Sequence, residues 1–270
     1  MIKKKIGFEA RKSLGQNFLQ DDNLALKIAR AINPLKTDCI VEIGPGFGAL
    51  TQFLVGSGCR YTGIEIDERL VPVLRKTYRD TPDCSIVHAD FRKTDLAALV
   101  ADSARIRLVG NIPYHITSSI IFKAFEQAAL MKDMILMVQK EVGERIVAAP
   151  RTKQYGILSV VSQTFANVTL LFPVSPHVFW PKPDVQSAVV KWDFSRQPEI
   201  RPLDISFYLK TVKTAFNKRR KTLRNSLKEL CAIDTFIEET GLDLKRRPEE
   251  LTVDDFVALS NALLQFLNKG

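Results

Sequence analysis

Residues 110–117 read GNIPYHIT and crowd three chemically capable groups into four positions: Asn111, Pro113 and Tyr114. A carboxamide offers an acceptor and two donors, proline fixes its own φ and removes an N–H, and a phenol ring presents a stacking face. The trio follows the apolar run Ile106, Leu108, Val109, so it stands at the end of an expected strand. An ordinary strand-to-helix turn, with an asparagine cap and proline at the first helical position, would use the same residues. Three other strand ends favour chemistry. VEIGPGFGALT places Gly44, Gly46 and Gly48 where a tight turn would let a ligand approach the backbone beside a helix N-terminus. Their G-x-G-x-G spacing is not the G-x-G-x-x-G expected for a dinucleotide pyrophosphate. Glu65, 21 positions after Gly44, ends the next strand where an acid meets ribose hydroxyls in nucleotide-binding sheets, and HADF adds Asp90 after the third. Singly, Glu65 or Asp90 reads as a helix cap or surface acid. Open α/β sheets bind ligands at the carboxyl ends of their strands, so Gly44, Glu65, Asp90 and Asn111 are together expected in one crevice.

These positions require a sheet whose strands run the same way. Apolar runs at 39–44, 60–66, 85–89, 106–110 and 134–139 alternate with segments of three- and four-residue apolar spacing, such as DERLVPVLRKTY and TSSIIFKAFEQA. That alternation predicts an α/β fold, a parallel sheet with helices on both faces. After Tyr155 come a helix-like GILSVVSQTFA, then VTLLF and SAVVKWDF, which are expected to extend the sheet's edge. The pattern breaks at 196–203. From Ser206 onward it is helical, ending in TVDDFVALSNALLQFL with Thr252 or Asp254 as cap. The expected domains are therefore 1–200 and a small helical domain at 201–270.

A chain of 270 residues with 46% hydrophobic content can bury a core without disulfides. Cys39, Cys59, Cys84 and Cys231 form no C-x-x-C pair and read as buried apolar residues in a reducing cytoplasm. No apolar run reaches membrane-spanning length and the N-terminal stretch lacks a signal peptide's apolar centre, so a soluble, cytoplasmic protein without a membrane partner is expected. His88, His115 and His177 lack metal-ligand spacing, so no metal is expected. Basic residues exceed acidic ones by 39 − 30 = 9. Residues 210–228 carry eight cations and no acid, and residues 3–12 add five cations against Glu9. A solvated helix face normally mixes signs; these blocks suit a nucleic-acid backbone.

The order G-x-G-x-G, acid, acid, N-I-P-Y resembles S-adenosylmethionine-dependent methyltransferases of the exocyclic adenine amine, and most closely the ribosomal small-subunit RNA adenine dimethyltransferases. LGQNFL at 14–19, EIGPGFGALT at 42–51, NIPYHIT at 111–117, FWPKPDVQS at 179–187 and FNKRRKTLRN at 216–225 carry the resemblance, which covers nearly the whole chain. It implies a Rossmann-like class I methyltransferase sheet, S-adenosyl-L-methionine as cofactor, and the small ribosomal subunit and its RNA as partners. It further implies dimethylation of two adjacent adenosines near the 3′ end of that RNA. Nothing points to an obligate dimer, and a monomer is expected. A large-subunit RNA adenine methyltransferase and an assembly factor that chiefly binds are the alternatives.

The adenine amine is a poor nucleophile because its lone pair is delocalised into the ring. Two acceptors gripping its hydrogens would return density to nitrogen: the Asn111 side-chain carbonyl and, as the resemblance implies, the backbone carbonyl of Ile112. Pro113 would aim that carbonyl and Tyr114 would stack the extruded base. Phe179 is the candidate second platform, with an apolar loop plug as its alternative reading. By resemblance, Asn17 and Leu19 cover the cofactor's methionine portion, whereas their sequence context reads as a tethered segment with Phe18 and Leu19 buried. Gly44, Gly46, Glu65, Asp90 and Asn111 complete the expected cofactor contacts. A basic helix at 216–228, with Lys218, Arg219, Arg220, Lys221 and Arg224, would grip RNA phosphates.

Overall fold

A computed structural model describes residues 8–99, 105–195, 201–218 and 221–269. Its strands are β1 (Phe18–Leu19), β2 (Cys39–Ile43), β3 (Arg60–Glu65), β4 (Cys84–His88), β5 (Ile106–Asn111), β6 (Met131–Gln139), β7 (Asn167–Val174), β8 (Phe179–Trp180) and β9 (Ser187–Asp193). The helices are α1 (Asp22–Ile32), α2 (Thr51–Val55), α3 (Val71–Thr77), α4 (Thr117–Glu126), α5 (Lys140–Ile146), α6 (Ile157–Phe165), α7 (Ile205–Asn217), α8 (Leu223–Leu227), α9 (Ile233–Thr240) and α10 (Val253–Leu267). All five apolar runs expected as sheet strands form them.

The main sheet runs β4-β3-β2-β5-β6-β9-β7. Pairing is parallel from β4 through β6, and β9 lies antiparallel to β6. The chain steps outward from β2 to β3 and β4, then returns to the other side of β2 for β5. This places the topological switch point between β2 and β5, where open α/β sheets form their ligand crevice. Buried parallel strands read as continuous apolar runs, and all five β2 residues are buried.

The described residues divide into two units, one with residues up to Gly143 plus Thr169–Phe194, the other with Glu144–Val168 plus those from Ser195 onward. The expected single boundary therefore does not describe the grouping, because 144–168 joins the C-terminal helices. In that second unit α6, α7 and α10 pack on one another. Its Tyr155 hydroxyl donates to the Leu251 carbonyl at 3.0 Å, and Phe216 stacks on Phe256 at 5.6 Å. The expected continuous basic helix at 216–228 is not formed. α7 ends at Asn217 and α8 starts after Thr222. The first α8 donors have partners elsewhere: Leu223 N–H donates to Arg246 O at 2.9 Å and Arg224 N–H to Leu244 O at 3.0 Å. Thr252, rather than Asp254, caps α10, reciprocated by Asp255. Cys39 and Cys59 are buried as expected; Cys84 and Cys231 are partly exposed, a correction to the uniform burial expected of them.

At the N-terminal end of the parallel strands Arg107 is buried with every guanidinium N–H engaged. Nε and Nη2 form a fork onto Asp133, Nη1 donates to Asp38 at 2.7 Å and Asn33 O at 3.1 Å, and Nη2 also donates to Ile32 O at 2.5 Å. Burial pushes the Asp38 carboxyl up, but hydrogen bonds from Lys132, Leu35 and Arg107 outweigh it and leave it lowered. One side chain thus ties β5 to β6, to the residue before β2, and to the carbonyls ending α1. Arg107→Met would leave two buried carboxylates without that partner and is expected to cost about 3–5 kcal/mol. Both tryptophans, Trp180 and Trp192, lie in the first unit, so their fluorescence in a urea titration reports that loss as an earlier transition.

A second buried polar cluster backs the glycine turn. The Glu42 Oε2 accepts from Thr51 Oγ1 at 2.8 Å and from Tyr61 Oη at 2.7 Å. Burial lifts the Glu42 carboxyl to about 7, against the lowering pull of those hydrogen bonds and with a further push from Glu65. A carboxyl raised in the folded state holds its proton there while the unfolded chain has lost it. Stability should therefore fall as pH rises from about 4.5 to about 7, by about 3 kcal/mol for this group. Glu42→Gln keeps an acceptor and removes the charge, and urea midpoints measured across that window should lose most of this slope.

Candidate active site

The four expected strand ends meet at one cavity of about 1140 Å3, including its open mouth. Gly44, Gly46, Glu65, Asp90, Asn111, Ile112, Pro113 and Tyr114 line it, as do Asn17 and Leu19 from the N-terminal arm. The turn after β2 has Gly44, Gly46 and Gly48 at φ 64, 63 and 80, where a Cβ is strained. At Gly48 a Cβ would also lie 2.7 Å from the Tyr78 oxygen, whereas at Gly44 it would meet nothing within 4 Å. The backbone at Gly44 is thus open to the cavity.

Glu65 is buried at the tip of β3, with Oε2 accepting from Gly46 N–H at 3.0 Å and Oε1 from Asp67 N–H at 2.9 Å. Burial raises its carboxyl above the usual range despite those bonds. Asp90 caps the short turn Phe91–Lys93 and is forked by Arg92, with Nη2 at 2.6 Å from Oδ2. The Arg92 guanidinium lowers its carboxyl. Asp90 is thus a cap, Glu65 is a buried acid that caps no helix, and both line the cavity.

Asn111 closes β5, and its register partner on β6 is Met137. Its Nδ2 donates to the Asn17 backbone carbonyl at 2.7 Å. A flipped amide would set two oxygens face to face, so this contact fixes which end of the carboxamide is nitrogen and leaves Oδ1 available as an acceptor. Pro113 is extended at φ −60 and ψ 134 and accepts from Ile116 N–H at 3.2 Å across the one-turn 3-10 helix Tyr114–Ile116. Tyr114 is half-buried, its phenol oxygen 2.6 Å from Ser187 Oγ. Burial raises the Tyr114 phenol above its ordinary value and keeps it neutral.

The arm behaves as a tethered segment with Phe18 and Leu19 buried. Phe18 packs edge-on to Phe47 of the glycine turn at 4.8 Å and stacks on Trp180 at 6.1 Å. Gln16 donates to Asp67 Oδ2 at 2.7 Å, and hydrogen bonds from Arg69 and Gln16 help hold the Asp67 carboxyl down to about 2. Phe179 is the residue the structure does not bring to the cavity. It is 4% exposed, pairs with Leu19 in the β1–β8 ladder, and packs in the core with Leu19 and Val189. In this structure it is the apolar plug, because the ladder turns its side chain into the sheet's core.

Lys218 and Lys221 lie in the second unit, with Lys221 N–H donating to Lys218 O at 2.7 Å. Arg224 is exposed and paired with Asp234 at 2.8 Å. Arg219 and Arg220 lie outside the described residues. Among the described residues no group of three or more metal-ligating side chains comes together, and no helix is long and apolar enough to cross a membrane. Sequence reasoning passed over Glu42 and Ser187. A charge inside the apolar run CIVEI was the signal for Glu42; a lone serine at the end of FWPKPDVQS carried none.

The family model for ribosomal RNA adenine dimethylases matches residues 7–265. A protein named ribosomal RNA small subunit methyltransferase A from Hahella chejuensis is 40% identical over 256 residues, covering 95% of this chain and 93% of that one. One of the same name from Geobacter metallireducens is 40% identical over 266 residues, covering 96% and 97%. Among solved structures, a dimethyladenosine transferase from Plasmodium falciparum is 25% identical with a TM-score of 0.73, covering 93% of this chain and 98% of that one. The 23S rRNA methyltransferase ErmE is 25% identical with a TM-score of 0.66, covering 92% and 100%. With strand order, cavity and carboxamide already placed, this chain belongs to the ribosomal RNA adenine dimethylase family of methyltransferases.

Proposed function

We propose that the protein, acting as a monomer, uses S-adenosyl-L-methionine to dimethylate the exocyclic amines of two adjacent adenosines near the 3′ end of small-subunit (16S) ribosomal RNA. The observation that carries this reading is the Asn111 carboxamide, held by its nitrogen and lining the cavity at the switch point together with the glycine turn.

The residues present fit the cofactor. Glu65 and Asp90 offer carboxylate acceptors for ribose hydroxyls and an adenine amine, and the open backbone at Gly44 admits close approach. Asp90, whose carboxyl is held low by Arg92, puts an ionised acid on the lining, which favours a cationic sulfonium. Asn17 and Leu19 roof the same space from the arm. When bound, the cofactor supplies a methyl group whose bond to sulfur breaks, with its electron pair left on sulfur, as the amine lone pair forms the new N–C bond.

Asn111 Oδ1 and the Ile112 carbonyl accept the two amino hydrogens and concentrate electron density on nitrogen; Pro113 fixes the turn bearing that carbonyl, and Tyr114 stacks the extruded base. The nitrogen then sheds one proton to water. No strong base is required, since orientation and charge stabilisation carry the barrier reduction. Two adenosines with two methyls each consume four donors.

Incubation of labelled S-adenosylmethionine with unmethylated small subunits, followed by mapping, should place all label on two neighbouring adenosines. Label confined to large-subunit RNA would overturn the assignment. Asn111→Ala should lower kcat about 100- to 1,000-fold while leaving subunit binding nearly intact in a filter-retention assay. Full turnover by that variant would remove Asn111 from the chemistry. Lys218, Arg219, Arg220, Lys221 and Arg224 bind RNA phosphates in this reading. Replacing Arg219, Arg220 and Lys221 by alanine should reduce the slope of log affinity against log salt by roughly two. An unaltered slope would place the grip elsewhere, for instance on the basic arm.

A further inference from the structure

We propose that Ser187 is a positioning residue whose hydroxyl fixes the ring of Tyr114, and that this tether governs the second methyl transfer to each adenosine more than the first. The inference rests on the preceding reading of Asn111, Ile112 and Tyr114.

Tyr114 stands on a single 3-10 turn, an element whose few internal hydrogen bonds leave the direction of a ring loosely defined. Its mount comes from elsewhere. The phenol oxygen lies 2.6 Å from Ser187 Oγ, and Ser187 is fully buried as the first residue of β9. That position is rigid: Ser187 is in register with Gln139 of β6, and the adjacent Gln186 carbonyl accepts from Lys140 N–H at 2.9 Å. Val189, two residues along the same strand, lines the cavity, so this face of β9 looks toward the site. The ring is therefore held at one end by the turn and at the other by the sheet, which fixes its position and the direction of its long axis.

The two transfers depend unequally on where that ring is held. An unmodified amine has two hydrogens, and the Asn111 and Ile112 oxygens can hold both. After one methylation a single hydrogen remains, so one acceptor loses its partner and the base is oriented mainly by the face on which it stacks. Loosening the ring should weaken the monomethylated complex more than the unmodified one, and the enzyme should release half-finished product.

The test compares wild type, Ser187→Ala, Tyr114→Phe and the double variant on unmethylated small subunits with S-adenosylmethionine. The readout is the ratio of N6-monomethyladenosine to N6,N6-dimethyladenosine at matched total methyl. Each single variant is expected to raise that ratio about five-fold, the effect of one lost hydrogen bond. The double variant should match the singles, since all three remove the same bond. A wild-type ratio in both single variants, with both transfers slowed alike, overturns the proposal and leaves the adenine reading standing. So does a ratio raised by Ser187→Ala but not by Tyr114→Phe, which removes the phenol without disturbing the core. Wild-type protein that puts no methyl on N6 of adenine overturns both.

Discussion

A guanidinium whose five N–H groups are all spoken for holds the parallel sheet together at the end farthest from the chemistry. Arg107 joins β5 to its neighbour β6 and to the start of β2. It also takes two of the carbonyls that α1 leaves unpaired at its C-terminus. Parallel strands carry no hairpin to fix their register, so such a cross-tie at one end determines what emerges together at the other. Gly44 and Asn111 can share a cavity because Ile43 and Gly110 are paired in register. A buried ion cluster of this kind adds little net stability, but breaking it is costly.

The same division appears at the glycine turn. Its left-handed residues leave the backbone bare, and the acids around it are held by the fold itself. Glu65 accepts two backbone N–H groups, Asp90 is clasped by Arg92, and Glu42 is locked to Thr51 and Tyr61. Carboxyl groups supported in this way do not need the ligand to order them.

Much of this was legible in the residues. Buried parallel strands are apolar throughout, so their ends, and with them Gly44, Glu65, Asp90 and Asn111, could be placed before any coordinates. What escaped depended on partners distant in sequence. Phe179 was expected as a stacking platform, yet the ladder that buries it joins residues some 160 positions apart and only two residues long per strand. Ser187 acquires its part through Tyr114, 73 residues away. The grouping of 144–168 with the C-terminal helices left no break in local pattern. The basic stretch is one-signed, but α7 ends at Asn217 and α8 begins at Leu223, so it is not the single helix its composition suggested.

The contact that orients Asn111 comes from the main chain of Asn17, not from its side chain. Alanine scanning along the arm would consequently pass over this support in silence, since every L-residue at 17 supplies the same carbonyl. Only a change that displaces the chain itself, such as deleting one residue between Leu14 and Leu19, would unhook the carboxamide. Side-chain replacement at that position reports on what the Asn17 carboxamide does and not on the carbonyl that holds Asn111.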